Sequence, residues 1–473
     1  MHSHNDVVAA IEARLGPGKV RTGADIDLHL EDFWGRARGR ALCAVFPETT
    51  AEVAAVLAFC HAEGIAVFPQ GGNTTTCMGA IPDAGGRSIV LCLSRMNRIL
   101  AVDPVDGSLT AEAGCILADI QRAAAEVDRF FPLSLGAEGS CQIGGNVSTN
   151  AGGTSVLRYG NTRDLVLGME VVLPDGRIWN GLRTLRKNNT GYDLKHLFIG
   201  AEGSLGVITA VSLKLFPSLP GLTAVLVAFD DIAHLASITQ PLRRRFDTAI
   251  IAMELISGSE LRIARRIFPN LPFPLDETNQ WFLLVDIAST EPDSLNHALE
   301  EALAAPLAAG RLRDVLASTS EKQRAVMWRL RHSVTEAHKK YGMGMSHDIA
   351  VPIGRISDFL QVAGKAVEAS FPTAEIAVVG HVGDGNIHYN VIFEKSRWDA
   401  LPDPAQTRRD VFKAIYDIAA GMNGTFSAEH GIGALHVAEM EQYKPAVELD
   451  MMRGIKALFD PGNIMNPGRV IPR

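Results

Sequence analysis

The chain contains no run of about 18 uninterrupted apolar residues, so no membrane-spanning helix is expected. Its first residues, MHSHNDVVAAIEARLG, lack an apolar signal core and carry Asp6 and Glu12 early. That pattern argues against secretion and leads to the expectation of a cytoplasmic protein. A basic surplus is missing as well. The formal net charge of −8 offers no broad surface for nucleic acid, and the short run Arg243, Arg244 and Arg245 reads as a solvated helix face. Cysteine is scarce. Only six occur, Cys43, Cys60, Cys77, Cys92, Cys115 and Cys141, with no C-x-x-C pair and mostly apolar neighbours. Buried, reduced thiols are therefore expected, not disulfides or a thiolate metal site. Three motifs are also absent. Without G-x-G-x-x-G there is no Rossmann fingerprint, without G-x-x-x-x-G-K-[ST] no P-loop, and without H-E-x-x-H no common metalloprotease helix.

What is present is ordinary globular material, 47% hydrophobic and 21% charged, in a length of 473 residues. That length suits about two to three domains. From Phe46 to about Pro217 short strands alternate with short helices. Thr49 and Glu52 form a capping-box pattern that opens a helix through Ala62, with Gly64 as its stop. Strands are expected over 65–69, 89–93 and 109–113, and 169–179 reads as strand, Pro-Asp-Gly turn and strand. Val211, Leu213 and Leu215 alternate with Ser212 and Lys214, the mark of a strand with one wet face. From Leu219 to about Leu401 longer helices alternate with strands such as Trp281–Ile287, which suggests an antiparallel sheet with helices on one face. After Pro402 the chain reads as helical.

Three segments are dense in Gly, Asn, Ser and Thr: PQGGNTTTCMG from Pro69 to Gly79, PLSLGAEGSCQIGGNVSTNAGG from Pro132 to Gly153, and GAEGSLGVIT from Gly200 to Thr209. Glycine lets backbone N–H groups approach a ligand, and hydroxyls and amides add further donors. Donors without neighbouring Lys or Arg suit a pyrophosphate held by main chain. One such cluster would serve a turn; three spread over 140 residues suit one large, extended, nucleotide-bearing ligand. The residues alone go no further.

In order and spacing, these segments resemble the FAD-binding domain of the vanillyl-alcohol oxidase superfamily, nearest to its D-lactate and D-2-hydroxyglutarate dehydrogenase branch. The resemblance implies an α+β fold. A two-lobed FAD-binding domain would occupy 46–217 after an N-terminal helical segment (1–45). An α+β substrate or cap domain would follow (218–401), then a helical C-terminal segment (402–473) completing the active site and the flavin site. It implies that Gly71, Gly72, Asn73, Thr74 and Thr75 wrap the pyrophosphate, with Pro69 and Gly79 at the ends of that loop. Pro132, Leu133, Gly136, Ser140, Ile143, Gly144, Gly145, Asn150, Gly152 and Gly153 would line the cofactor further along. Gly206, Val207 and Ile208 would meet its adenine or ring side, and Asn466 would join them. Superfamily members with covalent flavin often carry a His in the first loop. Asn73 and Thr74 stand there, so non-covalent FAD is implied.

The segment GHVGDGNIHYN carries His381, His388 and Asn390. Seven apart on one strand, the two histidines would face opposite ways, but Gly383-Asp384-Gly385 signals a turn that lets them converge. His388 and Asn390, two apart, share a face. Glu429 and His430 lie in SAEHGIG, among flanking glycines. Two imidazoles, a carboxylate and an open position suit Zn²⁺ or Mn²⁺. The resemblance implies that His381, His388 and Glu429 bind the metal and that His430 is the base that also meets substrate. Oxidising a 2-hydroxy acid needs the hydroxyl proton removed while the C2 hydrogen leaves as hydride to flavin. A chelated metal acidifies that hydroxyl, and Asn390 would hold substrate or flavin.

Arg331 and Thr335 lie four apart on an expected helix in WRLRHSVTEAHKK, and the resemblance places both at the substrate's distal carboxylate. One departure counts against a dicarboxylate. The branch usually shows Lys shortly before D-[IVL]-x-x-P, and here Ser346 precedes it in MSHDIAVP. D-Lactate or a bulkier D-2-hydroxy acid therefore stays open beside D-2-hydroxyglutarate. Electrons would pass to a quinone, a cytochrome or an electron-transfer flavoprotein, and a homodimer is a possible assembly. The alternatives are an oxidase reducing O₂ directly and a non-catalytic FAD-binding subunit of a glycolate-oxidase-like complex, which should lack the C-terminal His/Glu cluster. A zinc hydrolase would leave the three glycine-rich segments unexplained.

Overall fold

A computed structural model describes residues 4–219, 221–276, 278–288 and 292–472, without the side chains of 292, 293, 335 and 339. The chain divides into two units. One comprises Met1–Gly153, Tyr159–Ser218 and Glu429–Arg473; the other comprises Thr154–Arg158 and Leu219–Ala428.

In the first unit, Thr49 caps the helix Thr50–Glu63 by accepting from Glu52 N, and Gly64 ends it at φ 61. The Glu52 carboxylate reaches one residue past the box, to Glu48 N, and also pairs with Lys19. Val53, Val56, Leu57 and Cys60 are buried, an inward stripe of helical spacing. A four-stranded sheet runs Val20–Arg21, Cys43–Val45, Ser88–Cys92 and Ala66–Gln70, its last three strands parallel. A five-stranded antiparallel sheet runs Ile99–Asp103, Ser108–Glu112, Val207–Lys214, Val166–Val172 and Ile178–Gly181. Its last two strands are the expected hairpin, with Gly176 at φ 88 in the turn.

The wet face expected around Ser212 does not exist. Val207–Lys214 is a central strand buried on both faces as far as Leu213, and the Ser212 hydroxyl pairs with that of Thr110 at 3.0 Å. A small hydroxyl with a partner across the ladder costs little to bury. The six cysteines are free and buried, and burial pushes the thiols of Cys43 and Cys115 up to about 12.

The second unit is built on a seven-stranded antiparallel sheet. Its order is Asp314–Ala317, Leu222–Phe229, Trp281–Ala288, Ile250–Ser257, Glu375–His381, Asn386–Glu394 and Gly342–Ala350. Helices cover both faces, not the single face expected. On one face, Met327 and Val334 of the helix Glu321–Tyr341 pack with Ile256, Phe282, Leu284 and Val379. On the other, Phe359 meets Tyr389 at 5.8 Å between ring centroids, and Phe412 meets His347 at 4.6 Å. The cause lies in the central strands. Ile250–Ser257 is buried at every position, so both faces must be shielded. Arg244 and Arg245 are exposed on the last turn of the helix Leu235–Phe246, the solvated face expected of them.

Candidate active site

Within the first unit the three glycine-rich segments come together. A Cβ on Gly72 would lie 2.1 Å from Ser140 O, one on Gly153 2.0 Å from Ser134 O, and one on Gly203 3.1 Å from Pro69 Cγ. Glu202 N donates to Ser148 O, and Gly200 N to Val147 O. The C-terminal segment joins them, because Asn466 Nδ2 donates to Gly79 O at 3.1 Å and to Glu202 O at 2.6 Å. Asn466 therefore ties two of the segments to each other.

Other residues of this set have internal tasks. Asn73, at φ 52, turns its amide to Glu31 O at 2.8 Å. Asn150 Oδ1 accepts from Arg163 N, Ser140 Oγ donates to Ala137 O, and Thr75 Oγ1 accepts from Cys77 N. Thr74 is half-buried in the same loop. Pro132, Leu133, Ile143, Gly144, Gly152, Val207 and Ile208 are buried, and a Cβ on Gly206 would strike Val172 O at 2.8 Å.

Other glycines of these segments are open: Gly136 and Gly139 are exposed and Gly145 is half-buried. A Cβ added to Gly136, Gly139 or Gly145 meets nothing within 4 Å, and none of the three has a positive φ. Neither crowding nor backbone conformation requires glycine there. The Gln142 Oε1 and Asn146 Oδ1 atoms are buried without a hydrogen-bond partner among the described residues. Orphaned acceptors beside open glycines fit a large polar ligand that brings its own donors and comes close to main chain. Such acceptors can take the N–H and hydroxyl donors that a flavin nucleotide carries.

Glu202 is buried within this region. Its carboxylate accepts from Ile432 N at 2.7 Å and Gly433 N at 2.8 Å. Burial pushes this carboxyl up, and the two N–H donors only partly oppose the rise. A Cβ on Gly431 would strike Glu202 Oε1 at 2.7 Å, and one on Gly433 would strike Cys77 O at 1.9 Å. These glycines bring the loop that follows His430 close against Glu202 and Cys77.

The second unit contains the hairpin. Strands Glu375–His381 and Asn386–Glu394 pair through a turn in which Gly385 sits at φ 95, where a Cβ would lie 2.3 Å from Val351 O. His381 and His388 consequently lie on one face, with ring centroids 5.5 Å apart. Opposite His388 in the neighbouring strand stands Asp348. Its carboxylate accepts from Asn386 Nδ2 at 2.9 Å and Ala428 N at 3.0 Å. Glu429 and His430 follow Ala428 directly, so their positions near Asp348 follow from chain connection. One ligand atom from each of Asp348, His388, Glu429 and His430 falls within 4.8 Å of the others. Two imidazoles and two carboxylates at that separation are a donor set that fits Zn²⁺ or Mn²⁺.

His381 stands next to that group and not in it. Its Nδ1 lies 2.7 Å from Glu254 Oε1, and Glu254 Oε2 accepts from Arg331 Nε at 2.8 Å. Burial pushes the Glu254 carboxyl up, but His381 and Arg331 together outweigh it and hold it below the ordinary carboxylate value. Asn390 is buried, its Nδ2 donating to Glu260 Oε1 at 3.2 Å, while Glu260 Oε2 meets His338 Nε2 at 2.5 Å. Thr335 falls within the helix Glu321–Tyr341, but its side chain lies outside the described residues. Ser346 is exposed and sits opposite Asn390 in the ladder.

Glu202, Glu254, Asp348, Gln142 and Asn146 were not singled out from the sequence. For Glu254 a signal existed. It is a lone carboxylate in the apolar strand IIAMELIS, and a charge is not buried in such a strand without partners. For Gln142 and Asn146 none existed, because an orphaned acceptor is a property of the folded surroundings.

Comparison with known proteins bears on what this cradle holds. Residues 222–470 match the model for FAD linked oxidases, C-terminal domain, and residues 41–181 match that for an FAD binding domain. The chain is 37% identical over 472 residues to the mitochondrial D-2-hydroxyglutarate dehydrogenase of Bos taurus, covering 99% of this chain and 84% of that one. It is 31% identical to the D-2-hydroxyglutarate–pyruvate transhydrogenase of Saccharomyces cerevisiae, covering 93% and 88%. The solved structure of p-cresol methylhydroxylase with substrate bound superposes with a TM-score of 0.77 at 17% identity, covering 98% and 96%. That likeness shows the α+β fold of the vanillyl-alcohol oxidase type. The expectation of a cytoplasmic location is overturned, since the relatives from Bos taurus, Danio rerio and Rattus norvegicus are named as mitochondrial. The physical reason is that organelle import uses a leader that is removed, so an N-terminus without a secretory core does not report a compartment. No helix among the described residues is long and apolar enough to cross a membrane.

Proposed function

The chain belongs to the FAD-linked oxidases, and from that premise we propose that this flavoprotein oxidises a D-2-hydroxy acid to the 2-oxo acid with a bound divalent metal. The observation that carries the reading is the donor group of Asp348, His388, Glu429 and His430, in a chain that also has three glycine-rich segments and the orphaned acceptors of Gln142 and Asn146. When bound, FAD supplies the acceptor for the hydride leaving C2, and the cation supplies Lewis acidity at the substrate's hydroxyl and carboxylate. His388 and Glu429 of that group would hold the ion together with His381, whose ring centroid lies 5.5 Å from that of His388. The Asp348 carboxylate would stand beside them, and His430 would be left to act on the substrate.

His430 takes the hydroxyl proton on a ring nitrogen, a contribution typically worth about 10²- to 10⁴-fold in rate. Arg331 is held at Nε by Glu254, and its terminal nitrogens pair with a substrate carboxylate. Thr335, four residues further along the same helix, is assigned to that carboxylate by the resemblance. Gly71, Gly72, Gly136 and Gly145 let main chain approach a non-covalent FAD, and Gln142 and Asn146 accept hydrogen bonds from it. Ser346 places no cation beside Asn390. The substrate is of the D-2-hydroxyglutarate or D-lactate type, and the serine leaves room for D-lactate or a bulkier D-2-hydroxy acid without a second carboxylate. Electrons leave to a quinone, a cytochrome or an electron-transfer flavoprotein.

The test is anaerobic bleaching of the bound flavin by a panel of D- and L-2-hydroxy acids, before and after chelation. Bleaching by a D acid only, lost on chelation and restored by Zn²⁺ or Mn²⁺, is expected. Unchanged bleaching in the metal-free protein would remove the role given to the His/Glu group.

A further inference from the structure

Two groups assigned separate tasks above, a metal-side histidine and a substrate-side arginine, share one partner. Glu254 is 1% exposed, and its two oxygens are divided between His381 Nδ1 at 2.7 Å and Arg331 Nε at 2.8 Å. The arrangement is built into the fold at two places. Glu254 and His381 are directly paired in adjacent antiparallel strands, so their side chains project from the same face. Arg331 comes from the helix Glu321–Tyr341, whose Met327 and Val334, four residues before and three after, pack on that same face. Arg331 is buried as well.

We propose that Glu254 is a positioning residue for both halves of the site, fixing the ring orientation of His381 for a metal and aiming the fork of Arg331 at a substrate carboxylate. With Nδ1 committed to a carboxylate, metal coordination falls to Nε2, and the ring cannot rotate without breaking a buried bond. With Nε committed, the guanidinium plane is set, and its two terminal nitrogens form the edge that meets a carboxylate bidentately. One carboxylate thus fixes the distance between the cation and the arginine, and with it the length of acid that can bridge them. The inference rests on the function proposed above. What it adds is the dependence of the metal site on a residue that touches neither ion nor substrate.

Removing Glu254 alone leaves the buried guanidinium of Arg331 uncompensated and can unfold the chain, whereas without Arg331 the Glu254 carboxylate keeps His381 as its partner. The test therefore uses Arg331→Met as its reference and the apolar double variant Glu254→Met/Arg331→Met as the probe. Zn²⁺ affinity is measured by competition with a chromophoric chelator, alongside flavin content and the thermal midpoint. R331M should bind Zn²⁺ as the parent does and lose mainly in KM for the acid. The double variant should bind Zn²⁺ about 10- to 100-fold more weakly than R331M, the range seen when the residue behind a metal-binding histidine is removed, with flavin content unchanged. Equal Zn²⁺ affinity in R331M and the double variant would overturn the proposal while leaving the proposed function intact. A parent protein that takes up no Zn²⁺ would overturn the metal reading itself, and this inference with it.

Discussion

A single carboxylate, Glu202, shows how burial and hydrogen bonding compete at the residue scale. It lies in the glycine-rich segment 200–209, which the sequence suggests as a ligand cradle, yet its oxygens face the N–H groups of Ile432 and Gly433. Burial pushes its carboxyl above the ordinary value of 4.5, and those two donors only partly oppose the rise. A folded-state value above the unfolded one means that the stability this group contributes is complete at low pH. It is lost as pH rises through the folded value. Glu202→Gln removes the ionisation, so the parent should lose stability relative to E202Q between pH 4.5 and neutrality. The loss amounts to about 1.4 kcal/mol for each factor of ten by which folding tightens the carboxyl's hold on its proton. Urea unfolding of both proteins across that range measures it. A parent that gains on E202Q with rising pH would mean that the two N–H donors outweigh burial.

At the scale of the element, the glycine-rich loops are of two physical kinds that look alike in the sequence. Gly72 and Gly153 are glycine because a Cβ would strike a neighbouring carbonyl oxygen at about 2 Å. Gly136 and Gly145 are glycine where a Cβ would meet nothing. The substitution Gly136→Ala separates these roles. The apoprotein should unfold within about 0.5 kcal/mol of the parent, as surface changes do, while FAD affinity drops tenfold or more. A titration of apoprotein with FAD checks it; unaltered affinity would mean that the space beside Gly136 is not the cofactor's. The hairpin of His381 and His388 was readable from Gly383-Asp384-Gly385 because turn chemistry is local. The cover on both faces of the seven-stranded sheet was not, since it depends on which strands become central.

For the whole molecule, the division into two units separates what each ligand stabilises. The glycine-rich segments proposed to hold flavin belong to the unit of Met1–Gly153, Tyr159–Ser218 and Glu429–Arg473. The pairs of Glu254 with His381 and Arg331 belong to the other. Free FAD at about 100 times its dissociation constant should stabilise the unit that binds it by about 2.7 kcal/mol. Scanning calorimetry of the apoprotein with increasing FAD should show the transition of the first unit climbing. A melting profile that does not move with FAD would mean that the native chain holds none.

Some features were determined by the residues in order. The thiols are buried because their neighbours are apolar, the helix after Thr49 starts and stops at its own caps, and three glycine-rich segments mark a large ligand. Each follows from chemistry within a few residues, or from a spacing that survives folding. The tertiary structure alone decided that Glu254 lies between His381 and Arg331, 127 and 77 positions away. It also decided that Asp348 stands beside His388 and that Gln142 and Asn146 keep oxygens without a partner among the described residues. A buried charge or an orphaned acceptor is defined by what surrounds it in space, and strand register and helix packing settle that only once the chain has closed on itself.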